Sequence, residues 1–266
     1  MVRLPRDSEG AEAGSRHTAE LLVPRHELYR TLVAVGSHDN TLDLLADLLM
    51  GLDDPVRLAS THAGSMGGIT ALRQGKALCG GAHLFDPETG DFNFPFLTRY
   101  APDEDIAAVN LAVRHQGLMV APGNPKGIKG VEDLARVAFV NRQRGAGTRI
   151  LLDHHLNTAG IDPRQVEGYE HEEFTHMAVA ANVAQGAADC GLGIKAAAQA
   201  LGLDFVPLAR ERYDLLIRPE HMEHPLVAEL LDVVRGGEFA KRVEELGGYE
   251  TPWTGKEMRP GDGLPG

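Results

Sequence analysis

Short apolar runs alternate with amphipathic helical patterns along the first half of the chain. Residues 31–36 (TLVAVG) form an apolar run typical of a buried strand, and an amphipathic stretch follows over residues 41–50. A second apolar run at residues 56–60 precedes a helical pattern that ends at Gln74, and residues 77–84 are again strand-like. This alternation of strands with helices of about 10–15 residues predicts an α/β protein with mostly parallel sheets.

The second half of the chain repeats this alternation after an apolar stretch at residues 109–120, which Arg114, His115 and Gln116 interrupt. The predicted elements are a strand at 137–140, a helix that begins near 145–148 and ends at 157, a helix at 174–185, a strand at 187–194, a helix at 196–201, a strand at 205–208 and helical structure over 224–246. Two separate series of strands and helices therefore flank residues 109–120.

The composition limits the possible partners. Of the 266 residues, 26 are Lys or Arg and 38 are Asp or Glu, so the formal net charge is −12 with His neutral. An acidic surface repels nucleic acid, so we expect no direct nucleic-acid partner, and an anion site must be built locally. The 43% apolar and 24% charged residues are typical of a globular protein. No apolar run approaches the roughly 18 residues of a spanning helix, so we expect no membrane partner.

The cysteines and the N-terminal residues bear on the compartment. Cys79 and Cys190 are far apart in sequence and form neither a disulfide framework nor a metal-ligand pair, so we interpret them as small buried residues in a reducing compartment. Residues 1–26 carry acids and bases throughout, and their longest apolar run is Leu21-Leu22-Val23. A secretory signal needs an apolar core of about 7–15 residues. The sequence therefore predicts a cytoplasmic protein.

Three predicted strands end in short polar loops that contain Gly or Ser and precede a helix. The loops are residues 36–40 (GSHDN), 63–67 (AGSMG) and 141–149 (NRQRGAGTR). In open α/β sheets, ligands bind beyond the carboxyl ends of strands, where helix N-termini present free N–H groups that suit an oxyanion. Each loop alone is also explained as a helix N-cap without a ligand. Three of them together, one rich in Arg and Gly, favour an anion site.

These loops carry a resemblance to a known family. Residues 139–149 (FVNRQRGAGTR) resemble the second-lobe anion loop of class II periplasmic-type binding proteins, particularly those for tungstate and molybdate. Residues 33–40 (VAVGSHDN) resemble their first-lobe Ser/Thr loop, residues 61–87 look like the following segment, and residues 183–194 are similar to the strand beyond the cleft. The resemblance covers about residues 28–250 and is greatest to a cytoplasmic branch, whose domains stand alone or are fused to DNA-binding or molybdopterin-biosynthesis modules.

The resemblance implies a two-lobed α/β fold in which each lobe is a mostly parallel sheet flanked by helices and the ligand cleft lies between the lobes. It implies two strands that cross between lobes, at residues 109–120 and near 212–217. The expected division is a polar N-terminal arm (1–27), lobe one (28–112 plus 215–250), lobe two (113–214) and a flexible tail (251–266).

By position, the resemblance also implies the site. The candidate ligand-binding residues are Ser37, His38, Ser65, Arg142, Gly147 and Thr148. Arg142 matches the arginine with which the family clamps its anion, and His38 occupies a position where the family often has Thr or Ser. Asp39 precedes a predicted helix, and we expect its carboxylate to cap that helix through the N–H of Thr41 or Leu42.

Two other motif-like segments carry less weight. Residues 191–196 (GLGIKA) have the spacing of a dinucleotide-binding loop, but their first four residues read as strand. His171 and His176 are five residues apart, so they do not share a helix face as the ligands of an HExxH zinc site do. We therefore expect no catalytic residue, no metal and no cofactor.

The sequence thus predicts a cytoplasmic binding protein or sensor for a small oxyanion, with molybdate or tungstate favoured, that works by hinge closure of two lobes. A sensor would signal through a regulatory partner protein. An accessory factor or enzyme module in molybdenum-cofactor biosynthesis, with an assembly protein as partner, is the alternative. Because Asp39 is expected to cap its own helix, no carboxylate is left to accept a ligand proton, which favours fully deprotonated dianions over hydrogen phosphate.

Overall fold

The computed structural model describes residues 10–12, 14–18 and 20–265. Its α-helices are α1 (Arg25–Tyr29), α2 (Asn40–Met50), α3 (Gly64–Arg73), α4 (Phe94–Tyr100), α5 (Gly147–Thr158), α6 (His176–Ala184), α7 (Lys195–Ala200), α8 (Pro219–Met222), α9 (Pro225–Arg235) and α10 (Gly237–Glu245). Its strands are β1 (Thr31–Gly36), β2 (Arg57–His62), β3 (Cys79–Ala82), β4 (Phe85–Asp86), β5 (Asp91–Phe92), β6 (Ala107–Val120), β7 (Phe139–Arg142), β8 (Glu172–Glu173), β9 (Cys190–Ile194), β10 (Asp204–Ile217), β11 (Tyr249–Glu250) and β12 (Glu257–Met258).

The main sheet has parallel strands at both ends and two long antiparallel strands in its middle. The strand order is β2-β1-β3-β10-β6-β9-β7-β8, and β11 and β12 add short pairings to β6. β1 is parallel to β2 and β3, and β7 is parallel to β8 and β9. Helices follow the strands of both groups. The α/β class expected from the sequence is confirmed, and the expected parallel pairing is found within each end group, whereas the central strands of the mixed sheet pair antiparallel.

Strands β6 and β10 connect the two parallel groups. Each has 14 residues, and they pair antiparallel from Ala107 opposite Ile217 to Val120 opposite Asp204. One end of β10 pairs with β3, and the far end of β6 pairs with β9, so the β6–β10 pair joins the two groups. The residue boundaries proposed for the two lobes stay a prediction.

The interruption expected within residues 109–120 is not a break in structure. β6 runs through it without a gap, and Arg114 and Gln116 are fully buried while His115, between them, is half-buried and pairs with Glu250. Alternate residues of a strand point to opposite faces, so the two polar side chains share one face. The single helical region expected over residues 224–246 is likewise two helices, because extended backbone at Gly236 separates α9 from α10.

The C-terminal residues differ from the flexible tail expected over 251–266. Strand β12 pairs with β6, and Met258 is buried. The guanidinium of Arg212 donates to the carbonyl of Gly263 at 3.0 Å, and that of Arg210 donates to the carbonyl of Pro265 at 3.1 Å. The Gly and Pro content suggested mobility, but these backbone hydrogen bonds hold the segment against the central strands.

No helix within the described ranges combines the length and the apolar character that crossing a bilayer requires.

Candidate functional site

Four of the six candidate residues lie where strands end and helices begin. Ser37 directly follows β1, and Ser65 is the second residue of α3. Arg142 is the last residue of β7, and Thr148 is the second residue of α5. All four side chains are buried, although each carries a polar group. Buried polar groups need hydrogen-bond partners, and these partners reveal a residue that the sequence analysis did not select.

That residue is His83, which follows β3. Ser37 Oγ lies 2.9 Å from His83 Nε2, and Ser65 Oγ accepts the backbone N–H of His83 at 3.3 Å. Gly147 packs against the imidazole so closely that an added Cβ would stand 2.5 Å from His83 Nδ1. Three candidate residues from the two halves of the sheet therefore meet at one buried histidine.

A glutamate and a glutamine from the central strands continue this cluster. His83 Nδ1 lies 3.0 Å from Glu211 Oε2, and Glu211 Oε1 accepts a hydrogen bond from Gln116 Nε2 at 2.5 Å. Gln116 Nε2 also donates to Thr148 Oγ1 at 3.1 Å. Burial raises the pKa of Glu211, but the charge of Arg114 and the contacts with His83 and Gln116 together outweigh burial and lower that pKa to about 2. Glu211 is therefore ionised near neutral pH.

Arg114 holds two buried carboxylates. Its Nε pairs with Glu211, and its Nη1 lies 2.5 Å from Asp39 Oδ2. Asp39 Oδ1 accepts the backbone N–H of Thr41 at 2.9 Å, so the predicted capping of α2 is confirmed. Tyr249 donates its hydroxyl to the same carboxylate. Although burial lowers the pKa of Arg114, Glu211 and Asp39 together raise it above its ordinary value.

Arg142 has the opposite environment. Its Nε donates to the carbonyl of Glu173 at 3.2 Å and to Gln143 Oε1 at 3.2 Å, and its Nη2 donates to the carbonyl of Phe174 at 3.0 Å. Its Nη1 is buried without a partner, and no carboxylate within the described ranges forms an ion pair with it. Burial, and then the charge of Arg114, lower the pKa of Arg142 to about 10.

His176 and Gln116 present further unsatisfied atoms. His176 is the first residue of α6, it is buried, and neither ring nitrogen has a partner among the residues described. Burial and then Arg142 and Arg114 lower the pKa of His176 well below its ordinary value, so the ring is neutral. Gln116 Oε1 and Arg114 Nη2 are also buried, and within the described part of the chain neither has a hydrogen-bond partner.

The remaining candidate and a neighbouring arginine make their contacts elsewhere. His38 Nε2 lies 3.0 Å from Asp43 Oδ2, and its ring centroid is 4.1 Å from that of His62. The guanidinium of Arg149 lies 3.8 Å from the ring centroid of Tyr169 and pairs with carboxylates on the outer side of the loop. The structure brings together Ser37, Ser65, Arg142, Gly147 and Thr148 around His83, but it does not place His38 or Arg149 in that cluster.

Helix N-termini border the cluster. The carboxylate of Asp39 caps α2, whereas α3 and α5 begin after Ala63 and Ala146 and have no side-chain cap. The first-turn N–H groups of such helices are satisfied by water or by a ligand, and they carry partial positive charge. Within the described ranges, no group of three or more His, Cys, Asp or Glu side chains is arranged to hold a metal ion.

Comparisons with known proteins agree with this architecture. Residues 46–235 match the model of the PBP superfamily domain. The uncharacterized protein YvgK of Bacillus subtilis is 34% identical over 231 residues, which are 85% of this chain and 73% of that protein.

Two solved structures have the same fold at low identity. A substrate-binding protein from Clostridium perfringens, solved with bound phosphate, has a TM-score of 0.62 at 12% identity and covers 81% of this chain and 97% of its own. The tungstate ABC transporter protein from Geobacter sulfurreducens has a TM-score of 0.58 at 14% identity and covers 81% of this chain and 98% of its own. The match to the family model over most of the chain shows that this protein is a member of the PBP superfamily, and its fold is the two-lobed, class II type of periplasmic-binding-protein fold.

Proposed function

We propose that this chain is a binding protein that holds one small oxyanion in the buried cluster around His83, with molybdate or tungstate as the favoured ligand. The family and its solved neighbours are ligand-binding proteins, and two neighbours are described with phosphate or tungstate as ligand. Neither the activity nor the ligand follows from the fold alone. The side chains of the site favour an anion as the ligand.

The observation that carries this proposal is the state of Arg142. A buried charge without a counter-charge is costly, and proteins normally pair it. The guanidinium of Arg142 is buried, bonds only to neutral oxygens and leaves Nη1 unsatisfied. A bound anion would place a negative charge and a hydrogen-bond acceptor directly beside this guanidinium.

The hydroxyl groups favour the same class of ligand. Ser65 Oγ accepts from the backbone of His83, and Thr148 Oγ1 accepts from Gln116, so the hydrogen of each hydroxyl is left to donate. Arg114 Nη2 and the first-turn N–H groups of α3 and α5 add further donors. A tetrahedral oxyanion accepts from several directions at once and matches such a set.

The choice between oxyanions depends on the acceptors in the site. Both oxygens of Asp39 are engaged by Thr41, Arg114 and Tyr249, so this carboxylate does not accept a ligand proton. Gln116 Oε1 is a buried acceptor that the sequence analysis did not identify. Donors nevertheless outnumber acceptors, which favours an anion without a proton.

Calorimetric titration of the full chain with molybdate, tungstate, phosphate and sulfate tests the proposal. We expect saturation at one anion per chain without product formation, whereas an enzyme module of molybdenum-cofactor assembly would convert its ligand. Arg142→Ala should weaken tungstate binding by about 1.5–3 kcal/mol, the range for a hydrogen bond to a charged group. Arg142→Lys should restore part of this loss, because a point charge lacks the planar fork of donors.

Arg144→Ala is the matched control, because Arg144 belongs to the same loop but is exposed and pairs with Glu170 on its outer side. It should leave tungstate affinity unchanged. Equal affinity of wild type and Arg142→Ala would show that the site is elsewhere. The cytoplasmic location and the role as a sensor stay part of the proposal, and native mass spectrometry of protein purified from cytoplasm would reveal the anion carried there.

A further inference from the structure

We propose that His83 takes up one proton when a dianion enters the cleft, and that this proton frees the hydroxyl of Ser37 to donate to the ligand. The inference rests on the proposed function, since it concerns how the same site receives its anion. His83 is a positioning residue in this account, because it acts on the ligand through Ser37. Ser37, His83 and Glu211 form a buried row of hydrogen-bonded side chains.

The first step fixes the tautomer of His83. Nδ1 lies 3.0 Å from Glu211 Oε2, and Glu211 is ionised, so it can only accept. Nδ1 must therefore carry the hydrogen. In the neutral ring, Nε2 is then an acceptor, and the group 2.9 Å away that can donate to it is the hydroxyl of Ser37.

The second step concerns Ser37. A serine has a single hydroxyl hydrogen, and here it points at His83. Ser37 then faces a ligand with lone pairs, which repel an oxyanion. Ser65 and Thr148 differ, because each accepts a hydrogen bond and keeps its hydrogen free. Of the serine and threonine hydroxyls described above, that of Ser37 is the one whose hydrogen is already used, so it cannot donate to an anion.

A proton on His83 reverses this arrangement. The solvent proton bonds to Nε2, and the new N–H donates to Ser37 Oγ while Nδ1–H continues to donate to Glu211. The Ser37 hydrogen is released from its bond to Nε2 and turns toward the ligand. No bond between heavy atoms changes, and the positive charge stays on the imidazolium.

Charge balance gives the reason for the uptake. Arg114 and Arg142 contribute two positive charges, and Asp39 and Glu211 contribute two negative ones. The buried cluster is therefore neutral before it receives a ligand, and a dianion would leave two uncompensated negative charges. Charges buried together interact strongly, so the dianion favours protonation of a nearby imidazole.

The groups that face His83 explain why it is neutral without a ligand. They are Glu211 and Tyr213 on β10, Arg114 on β6, Arg142 on β7 and His176 on α6, while α5 contributes only the uncharged Gly147. Burial is the largest influence and lowers the pKa of His83, Glu211 raises it, and Arg114 and Arg142 lower it further. The negative charge of a bound dianion would raise the pKa of His83 strongly.

The sign of the pH dependence follows from linkage. Binding raises the pKa of His83, so protons are taken up at pH values between the pKa without ligand and the pKa with ligand. Within that window, affinity for a dianion falls by about tenfold for each unit of rising pH. Below the window His83 is already protonated, and affinity does not depend on its proton.

The test is tungstate calorimetry of the full chain, repeated at one pH in buffers of different ionisation enthalpy. The dependence of the observed enthalpy on that of the buffer counts the protons taken up. We expect about one proton per tungstate in wild type near pH 8, and ring-nitrogen NMR should show His83 as the histidine that becomes protonated. Tungstate binding without proton uptake would overturn the inference and leave the proposed function intact, whereas no binding of any oxyanion would overturn both.

Variants assign the proton to its residue. In His83→Gln, the amide nitrogen donates to Ser37 at every pH, so tungstate should still bind while proton uptake falls toward zero. His155→Gln is the matched control, because His155 lies on α5 outside the cluster and its pKa is also lowered by burial. His176→Gln should keep the uptake. Loss of proton uptake in His176→Gln, or unchanged proton uptake in His83→Gln, contradicts the proposal. If His83→Gln does not fold, the NMR titration of the wild-type protein decides whether His83 is the residue that becomes protonated.

Discussion

Arg114 and Arg142 are buried in the same cluster, yet their surroundings are opposite in charge. Arg114 lies on β6 between the carboxylates of Asp39 and Glu211, which raise its pKa. Arg142, at the end of β7, bonds to neutral oxygens, and burial lowers its pKa to about 10. The two arginines therefore have different roles. Arg114 neutralises buried carboxylates of the protein itself, whereas the charge of Arg142 is available to a bound anion.

The contrast separates stability from binding. A paired buried cation is needed by its partners, because its removal leaves their charges uncompensated. An unpaired buried cation opposes folding, and proteins retain such a group mainly at functional sites, where it meets a ligand. The two arginines should therefore respond in opposite ways to the same substitution.

The largest expected effect is on stability. Arg114→Met should lower the free energy of unfolding by about 3–5 kcal/mol, because Asp39 and Glu211 would remain buried without a counter-charge. Arg142→Met should leave that free energy unchanged or raise it. Denaturant unfolding followed by circular dichroism measures both, and a similar loss in the two variants would remove the distinction between them.

A smaller effect is expected on the free energy of unfolding at acidic pH. The pKa of Glu211 in the folded protein is about 2, below its ordinary value of 4.5. A depressed carboxylate pKa adds stability that is complete above pH 4.5 and is lost as the pH falls toward 2. Glu211→Gln should flatten the stability profile in this range. An unchanged acid limb would mean that Arg114 does not hold Glu211 in its ionised form.

The next prediction concerns the close packing of Gly147, at the start of α5, against His83. An added Cβ at Gly147 would lie 2.5 Å from Nδ1 of His83 and 2.8 Å from its backbone oxygen. Such overpacking typically costs about 1–3 kcal/mol of folding free energy, and we expect the resulting shift of α5 away from His83 to weaken tungstate binding by Gly147→Ala as well. Gly237→Ala, where nothing lies within 4 Å, is the control. Equal titration curves for the two variants would show that the contact is not part of the bound state.

The smallest effect is selectivity between oxyanions. Phosphate keeps a proton near neutral pH, and the carboxylate of Asp39 is fully engaged. We expect molybdate and tungstate to bind at least about tenfold more tightly than phosphate, about 1.4 kcal/mol or more. Competition calorimetry measures the difference. Phosphate binding of equal or greater strength would indicate that Gln116 Oε1 accepts the ligand proton and would contradict the choice of ligand.

The fold was predictable because its elements have local signals. Apolar runs such as residues 31–36 and the capping residue Asp39 are visible within short windows of sequence, and the structure has β1 and the start of α2 at those positions. The end of β1 also follows from such a signal, whereas β2 and β7 each extend two residues beyond the predicted strands, to His62 and Arg142. Loops at the carboxyl ends of parallel strands lie together within each group, and the candidate loops of the two groups are brought together because β6 and β10 join the groups.

The centre of the site was not predictable in the same way. His83 and Glu211 are separated by 128 residues, and their contact exists because β3 pairs with β10. Arg114 and Gln116 were interpreted as an interruption of an apolar run, whereas they alternate along one buried strand. Period-two polarity within that run was the signal available in the sequence.

Strand β6 has a consequence for how the chain reaches this state during synthesis. The strands described as its partners, β9, β10, β11 and β12, all come later in the sequence than β6 itself. A nascent chain therefore carries 14 residues of β6 with open hydrogen-bonding edges while the next 70 or so residues up to Cys190 are still being added. Open strand edges and distant pairings slow folding and invite association with other chains. This long strand is accordingly a place where a chaperone would protect the nascent chain.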